Sequence, residues 1–140
     1  MGKVAQSAVY SRSEVSSGTA WEAAAAYPRA LRAGDFIYVS GTTATDENGV
    51  VEKGSAAGQT RFILEKIIRA IRQLGGEPED VVMARVYLKE ATLAEEIFSV
   101  YTEMFGHVRA SSTAVVAQAL GDDYLVEIEM QAIVGARREI

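Results

Sequence analysis

The chain has 140 residues, nearly half of them hydrophobic, which suits one domain, residues 1–140, with a sizeable buried core and excludes a disordered chain. Its 19 acidic residues outnumber its 14 basic ones, for a formal charge of -5, which opposes a surface built to neutralise nucleic-acid phosphates. No cysteine is present, so disulfides, thiolate nucleophiles and thiolate metal sites are excluded.

The first twenty residues are polar, with isolated aliphatic positions; they predict an edge strand near Val9 and a loop at Ser16-Ser17-Gly18. Trp21 and an alanine run lead to Tyr27-Pro28, where the proline favours an extended Tyr27. Two short strands, 29–32 and 36–42, reverse at Gly34-Asp35, and a further turn is expected at Asp46-Glu47-Asn48-Gly49. Over 56–74, Leu64, Ile67, Ile68, Ile71 and Leu74 recur at helical spacing, with Arg61, Glu65, Lys66, Arg69 and Arg72 on other faces. Gly75-Gly76 supplies a left-handed cap and Pro78 prevents resumption. A strand is expected over 81–88, then a second helix from Thr92, where Thr92 and Glu95 have capping-box spacing, to Gly106. Strands over 113–118 and 124–134 follow, joined through Gly121-Asp122-Asp123.

This order predicts an α+β sandwich: a mixed β-sheet with two helices on one face. Two helices cover only one side, yet Ala114, Val115, Val116 and Ala117 are apolar on both faces of their strand. The uncovered face is therefore expected to be buried in a homo-oligomer. No secretory leader and no run of about 18 apolar residues is read, so a soluble, cytoplasmic protein without a membrane partner is expected.

The last strand is the most informative. Val126, Ile128, Met130 and Ala132 alternate with Glu127, Glu129 and Gln131, which puts both carboxylates on the face opposite the aliphatic set. Glutamate is disfavoured in strands, and an acid on a covered face loses hydration unless a donor or ligand meets it. An exposed face with two solvated acids is the alternative. The single histidine, His107, follows a helix end and reads as a solvated group or a partner of the helix dipole rather than a triad member. Asp122-Asp123 reads as turn chemistry, and no metal ligand set and no cofactor fingerprint is present.

The segments "RAGDFIYVSGTT", "GQTRFILEKIIRAIRQLGGEPEDVVMARVYL", "VYTEMFG" and "LVEIEMQAIV", in this order and spacing, resemble the Rid superfamily, also called YjgF or endoribonuclease L-PSP. The resemblance implies a chorismate-mutase-like fold and a homotrimer with a central barrel. It also implies small-molecule ligand sites in clefts between subunits. In the branch that deaminates reactive enamines and imines, a glutamate on the final strand holds the attacking water, and it corresponds to Glu127. Tyr27, Ser40 and Gly41 correspond to substrate-binding positions, as do Ser112 and Ala114.

The arginine that grips the substrate carboxylate in that branch falls at Ser112, within Ala110-Ser111-Ser112-Thr113. Arg109 is an odd step away, so its side chain turns to the other face. A charge-assisted hydrogen bond contributes about 1.5–3 kcal/mol, so losing this clamp weakens binding of a 2-imino acid by roughly ten- to a hundredfold. Arg29 reads as a solvated edge-strand arginine, or as a substitute cation if the segment is extended toward Tyr27. Two functions follow: hydrolysis of a small imine or enamine with release of ammonia, or a trimer that binds a ligand or protein without turnover. Ribonuclease activity is opposed by the acidic balance.

Overall fold

A computed structural model describes residues 9–118, 121–137 and 139. Strands β1 (Arg12–Val15), β2 (Ala30–Ala33) and β3 (Phe36–Thr42) form an antiparallel meander, with helix α1 (Ala20–Ala25) between the first two. A small hairpin of β4 (Thr45–Asp46) and β5 (Gly49–Val50) precedes helix α2 (Ala56–Gln73). Strand β6 (Val81–Leu88), helix α3 (Ala94–Phe105) and strands β7 (Ser111–Val116) and β8 (Val126–Ile133) complete the chain. The six-stranded sheet has the order β1-β2-β3-β8-β6-β7, so β6 separates the consecutive strands β7 and β8. β6 and β7 are parallel and all other neighbours antiparallel.

The period-two pattern of β8 and the helical period of α2 meet in one core. Ile37, Val86, Ile128 and Met130 from the sheet pack with Ile63, Ile67 and Ile71 of α2 and Ile97 and Phe105 of α3. The expected α+β architecture is present. The opposite face carries Phe36 and Tyr38, 44% and 43% exposed, while Val115 on β7 is 39% exposed. β7 is exposed along its whole length.

Several local expectations are corrected. Val9 lies outside any strand and is 91% exposed; the edge strand begins at Arg12, where the register with Ala33 starts. The alanine run forms α1, announced by the capping-box spacing of Thr19 and Glu22, whose carboxylate accepts from the Thr19 N–H at 3.4 Å. Thr92 does not cap α3. It lies in a 3-10 turn, Ala91–Leu93, its hydroxyl turned back to Glu90 at 3.4 Å, and the helix starts at Ala94. β7 sits two residues earlier than expected because Ser111 to Val116 align with Met83 to Leu88.

The cap of α2 is as expected. Gly75 has φ +87°, its N–H donates to Arg72 O and that of Gly76 to Ile71 O, both at 3.0 Å. A Cβ on Gly75 would also stand 2.9 Å from Arg32 Nη1, which holds Leu74 O at 2.8 Å. Gly75→Ala is therefore expected to destabilise the fold by about 1 kcal/mol, read as a lower urea midpoint at unchanged slope.

Candidate functional site

The site grows from an irregularity in β3. Val39 pairs with Met130 and Thr42 with Ile128, so three steps along β3 match two along β8, and Ser40-Gly41 form a bulge opposite Glu129. The bulge brings the Gly41 backbone against the Glu127 carboxylate. A Cβ on Gly41 would fall 2.3 Å from Glu127 Oε1, so no side chain larger than hydrogen fits while that carboxylate stays in place. Buried Gln59 on α2 fixes the approach to β8: its amide donates to Asp123 O at 2.8 Å and accepts from Leu125 N–H at 2.9 Å.

The two acids of β8 share a face but not a fate. Glu129 stands opposite Arg85 on β6, accepts a hydrogen bond from its guanidinium, and takes a second from the Tyr87 hydroxyl at 3.0 Å. Among the described residues, no donor reaches the Glu127 carboxylate. Burial pushes its pKa up from the usual 4.5, the nearby Arg29 charge opposes this, and Glu129 adds to it. Glu127 is thus the acid whose oxygens remain open to a ligand or water.

A small cleft of about 40 Å³ touches Glu127 and is lined by Thr19, Trp21, Tyr27, Arg29, Gly41, Thr43, Thr45 and Tyr124. It is large enough and polar enough to admit a water molecule. Trp21 Nε1 donates to Tyr124 Oη at 3.3 Å across its wall. On the other side of Glu127 and Gly41 the surface opens into a groove of about 390 Å³ bordered by Tyr87, Ala117, Gln118 and Glu129.

Arg29 is not the solvated edge residue expected from the sequence. It is 3% exposed, because the Tyr27-Pro28 bend turns it inward beneath α1. Its Nη2 donates to Gly41 O at 2.7 Å, Nη1 lies 3.7 Å from Glu22, and the guanidinium sits 5.5 Å from the Tyr27 ring centre. Arg29 therefore ties α1 to the bulge that faces Glu127. Glu22 was missed in the sequence, although the Thr19-x-x-Glu22 spacing was its signal.

One chain assembles Glu127, Tyr27 and Gly41. Ser40 is adjacent in sequence, but its hydroxyl donates to Pro28 O at 2.8 Å and it lines a separate surface hollow with Tyr38, Arg85 and Glu129 instead. Ser112 and Ala114 stand apart. Ser112 aligns with Ala84 and Ala114 with Val86, both core-facing, whereas the row of Glu127 runs through Tyr87 to Val115. Val115 is three residues beyond Ser112, about 10 Å along the strand. His107 pairs with Glu79 at 3.2 Å on the surface, away from the cleft. Among the described residues no cluster of three or more His, Cys, Asp or Glu suits a metal, and no helix is long and apolar enough to cross a membrane.

The family model for endoribonuclease L-PSP matches residues 17–134. A RutC family protein of Pyrococcus abyssi is 35% identical over 104 residues, covering 74% of this chain and 82% of that protein. The 3-aminoacrylate deaminase RutC of Acinetobacter baylyi is 36% identical over 105 residues, covering 74% of this chain and 83% of its own. A crystal structure from Mycobacterium tuberculosis, a member of the YjgF/YER057c/UK114 family, superposes with a TM-score of 0.79 at 36% identity, covering 89% of this chain and 100% of that one. With this match spanning α1, α2, α3 and every strand from β2 to β8, the chain belongs to the endoribonuclease L-PSP (Rid/YjgF) family.

Proposed function

We propose that this protein hydrolyses small, reactive imines or enamines, with Glu127 as the base that activates water. The carrying observation is the half-buried Glu127 carboxylate, free of donors among the described residues and pressed against Gly41 beside a cleft sized for water. Burial raises its pKa and so makes it a stronger base than a solvated carboxylate. The water oxygen adds to the imine carbon while its proton passes to Glu127. That proton then moves to nitrogen, and the tetrahedral carbinolamine collapses to a carbonyl and ammonia. The likeness to a 3-aminoacrylate deaminase supports the same class, since 3-aminoacrylate is an enamine.

In this reading the protein is a cytoplasmic homotrimer. The exposed Phe36 and Tyr38 face supports self-association, and a neighbouring subunit's β7 would bring Ser112 and Ala114 to complete the groove beside Glu127. The substrate is a small molecule, with no nucleic acid, membrane, metal or cofactor involved. Imines generated in place by an amino-acid oxidase provide the assay: ammonia release faster than the uncatalysed rate is expected, and release at the buffer rate would refute the enzyme.

Ser112 in place of the family arginine favours a second reading, a trimer that binds its ligand without turnover. Thermal shift separates the two, because a ligand of the native state raises the midpoint with concentration whether or not it is consumed.

Gly41→Ala tests the bulge. Its methyl group displaces the Glu127 carboxylate by about an ångström, which is expected to slow ammonia release by roughly a hundredfold. Steady-state kinetics check this, with kcat falling more than KM rises.

A further inference from the structure

Beyond Arg29 lies a second cavity, of about 180 Å³, bounded by α2, the residues after β1 and the β4–β5 hairpin. Lys66 points into this region. The other charged residues of α2 keep to solvent, but Lys66 is only 5% exposed because the hairpin folds over it, and its Nζ donates to Thr45 O at 2.8 Å. That is one bond for a group with three donors, and among the described residues no carboxylate lies within ion-pair distance. Arg29, also buried and bordering the cavity, has an Nε with no partner among the described residues. Arg69 lines the same space.

A desolvated amine beside another cation is the standard environment of a nucleophilic lysine, since both effects favour the neutral, lone-pair form. Burial, then the Arg29 charge, pull Lys66 down to about 8; Glu22 and Asp46 oppose, and Arg69 assists. At pH 7 about one molecule in ten therefore carries the free amine. The Arg69 guanidinium offers donors to an anionic group in the same cavity, and the buried Arg29 charge behind the wall favours that anion. The volume admits a molecule of a few heavy atoms and no nucleotide.

We propose that Lys66 is a covalent capture site for small 2-oxo acids, its Nζ condensing with the carbonyl while Arg69 holds the carboxylate. The amine lone pair forms the bond to the carbonyl carbon, giving a carbinolamine. The carbonyl oxygen then leaves as water with the two amine protons, and a Schiff base remains. Asp46 and Glu47 line the hairpin wall and can relay those protons. The site is independent of Glu127, with which it shares only the two ends of Arg29 and Thr45 as a common wall.

Treating the full chain with glyoxylate and cyanoborohydride at pH 7.5, then mapping peptides by mass spectrometry, tests this directly. Lys66 is expected to gain a carboxymethyl group roughly tenfold faster than Lys53 or Lys89, and Lys66→Arg to lose that label while Lys53 and Lys89 keep theirs. The wild-type map decides even if the variant folds poorly. Labelling spread evenly over Lys66, Lys53 and Lys89, or a Lys66 modified no more selectively by glyoxylate than by uncharged propanal, would overturn the proposal.

Discussion

Replacing Glu127 with Gln is expected to slow imine hydrolysis by roughly a hundred- to ten-thousandfold, the usual contribution of a positioned general base. The amide keeps the shape and still accepts a hydrogen bond from water, so substrate affinity should change far less than kcat. Stability should not fall. Because burial raises the Glu127 pKa in the folded state, charging it costs stability, and that cost appears as pH rises through the unfolded value and is complete above the folded one. An uncharged isostere removes the cost, so Glu127→Gln should withstand urea at pH 7 at least as well as the wild type. The wild-type rate should fall on acidification at a pH above the usual 4.5, since the protonated carboxyl cannot accept the water's proton. A variant that turns over imines at the wild-type rate would remove Glu127 from the chemistry.

The strand alternation in β8 was enough to place Glu127 and Glu129 on the face away from the helices, because a period of two depends only on neighbouring residues. It could not separate the two. What distinguishes them is Arg85 and Tyr87 on β6, some forty residues away in sequence, which engage Glu129 and leave Glu127 open. The same limit applies to Lys66: its helical position matches that of exposed residues, and only the hairpin folding over it makes it internal. α1 was missed for a different reason. Its alanines carry no hydrophobic contrast and thus no period, and the one local cue lay in the Thr19 and Glu22 spacing. Ser112 and Ala114 show the converse, since a family correspondence assigned them to a site that one chain alone does not bring together.

Glu22→Ala is expected to cost about 3–5 kcal/mol at pH 7, because it leaves a buried arginine without its counter-charge. The Glu22 carboxylate collects donors from both ends of its loop: Ser16 Oγ and Ser17 N at 2.9 Å, Thr19 Oγ1 at 2.8 Å, and the Ser17 hydroxyl. Burial alone would raise its pKa; the Ser17 hydroxyl and N–H, then the Thr19 and Ser16 hydroxyls, more than offset this and bring it down to about 2. A depressed pKa contributes stability that is complete above the unfolded value near 4.5 and is lost as pH falls toward 2, on the order of 3 kcal/mol in total. Wild type should therefore lose stability more steeply than Glu22→Gln between those limits, as urea titrations at successive pH values would read. Glu127 has the opposite sign, so the comparison is sharpest in a Glu127→Gln background. The consequence reaches the cleft: with Glu22 gone, no described residue holds Nη1 of Arg29, and the guanidinium that fixes the Gly41 carbonyl at 2.7 Å is free to shift. Turnover by the Glu22 variants should then fall even under conditions where they remain folded, and an unchanged kcat in a folded Glu22→Gln protein would show that the bulge holds its shape without Arg29.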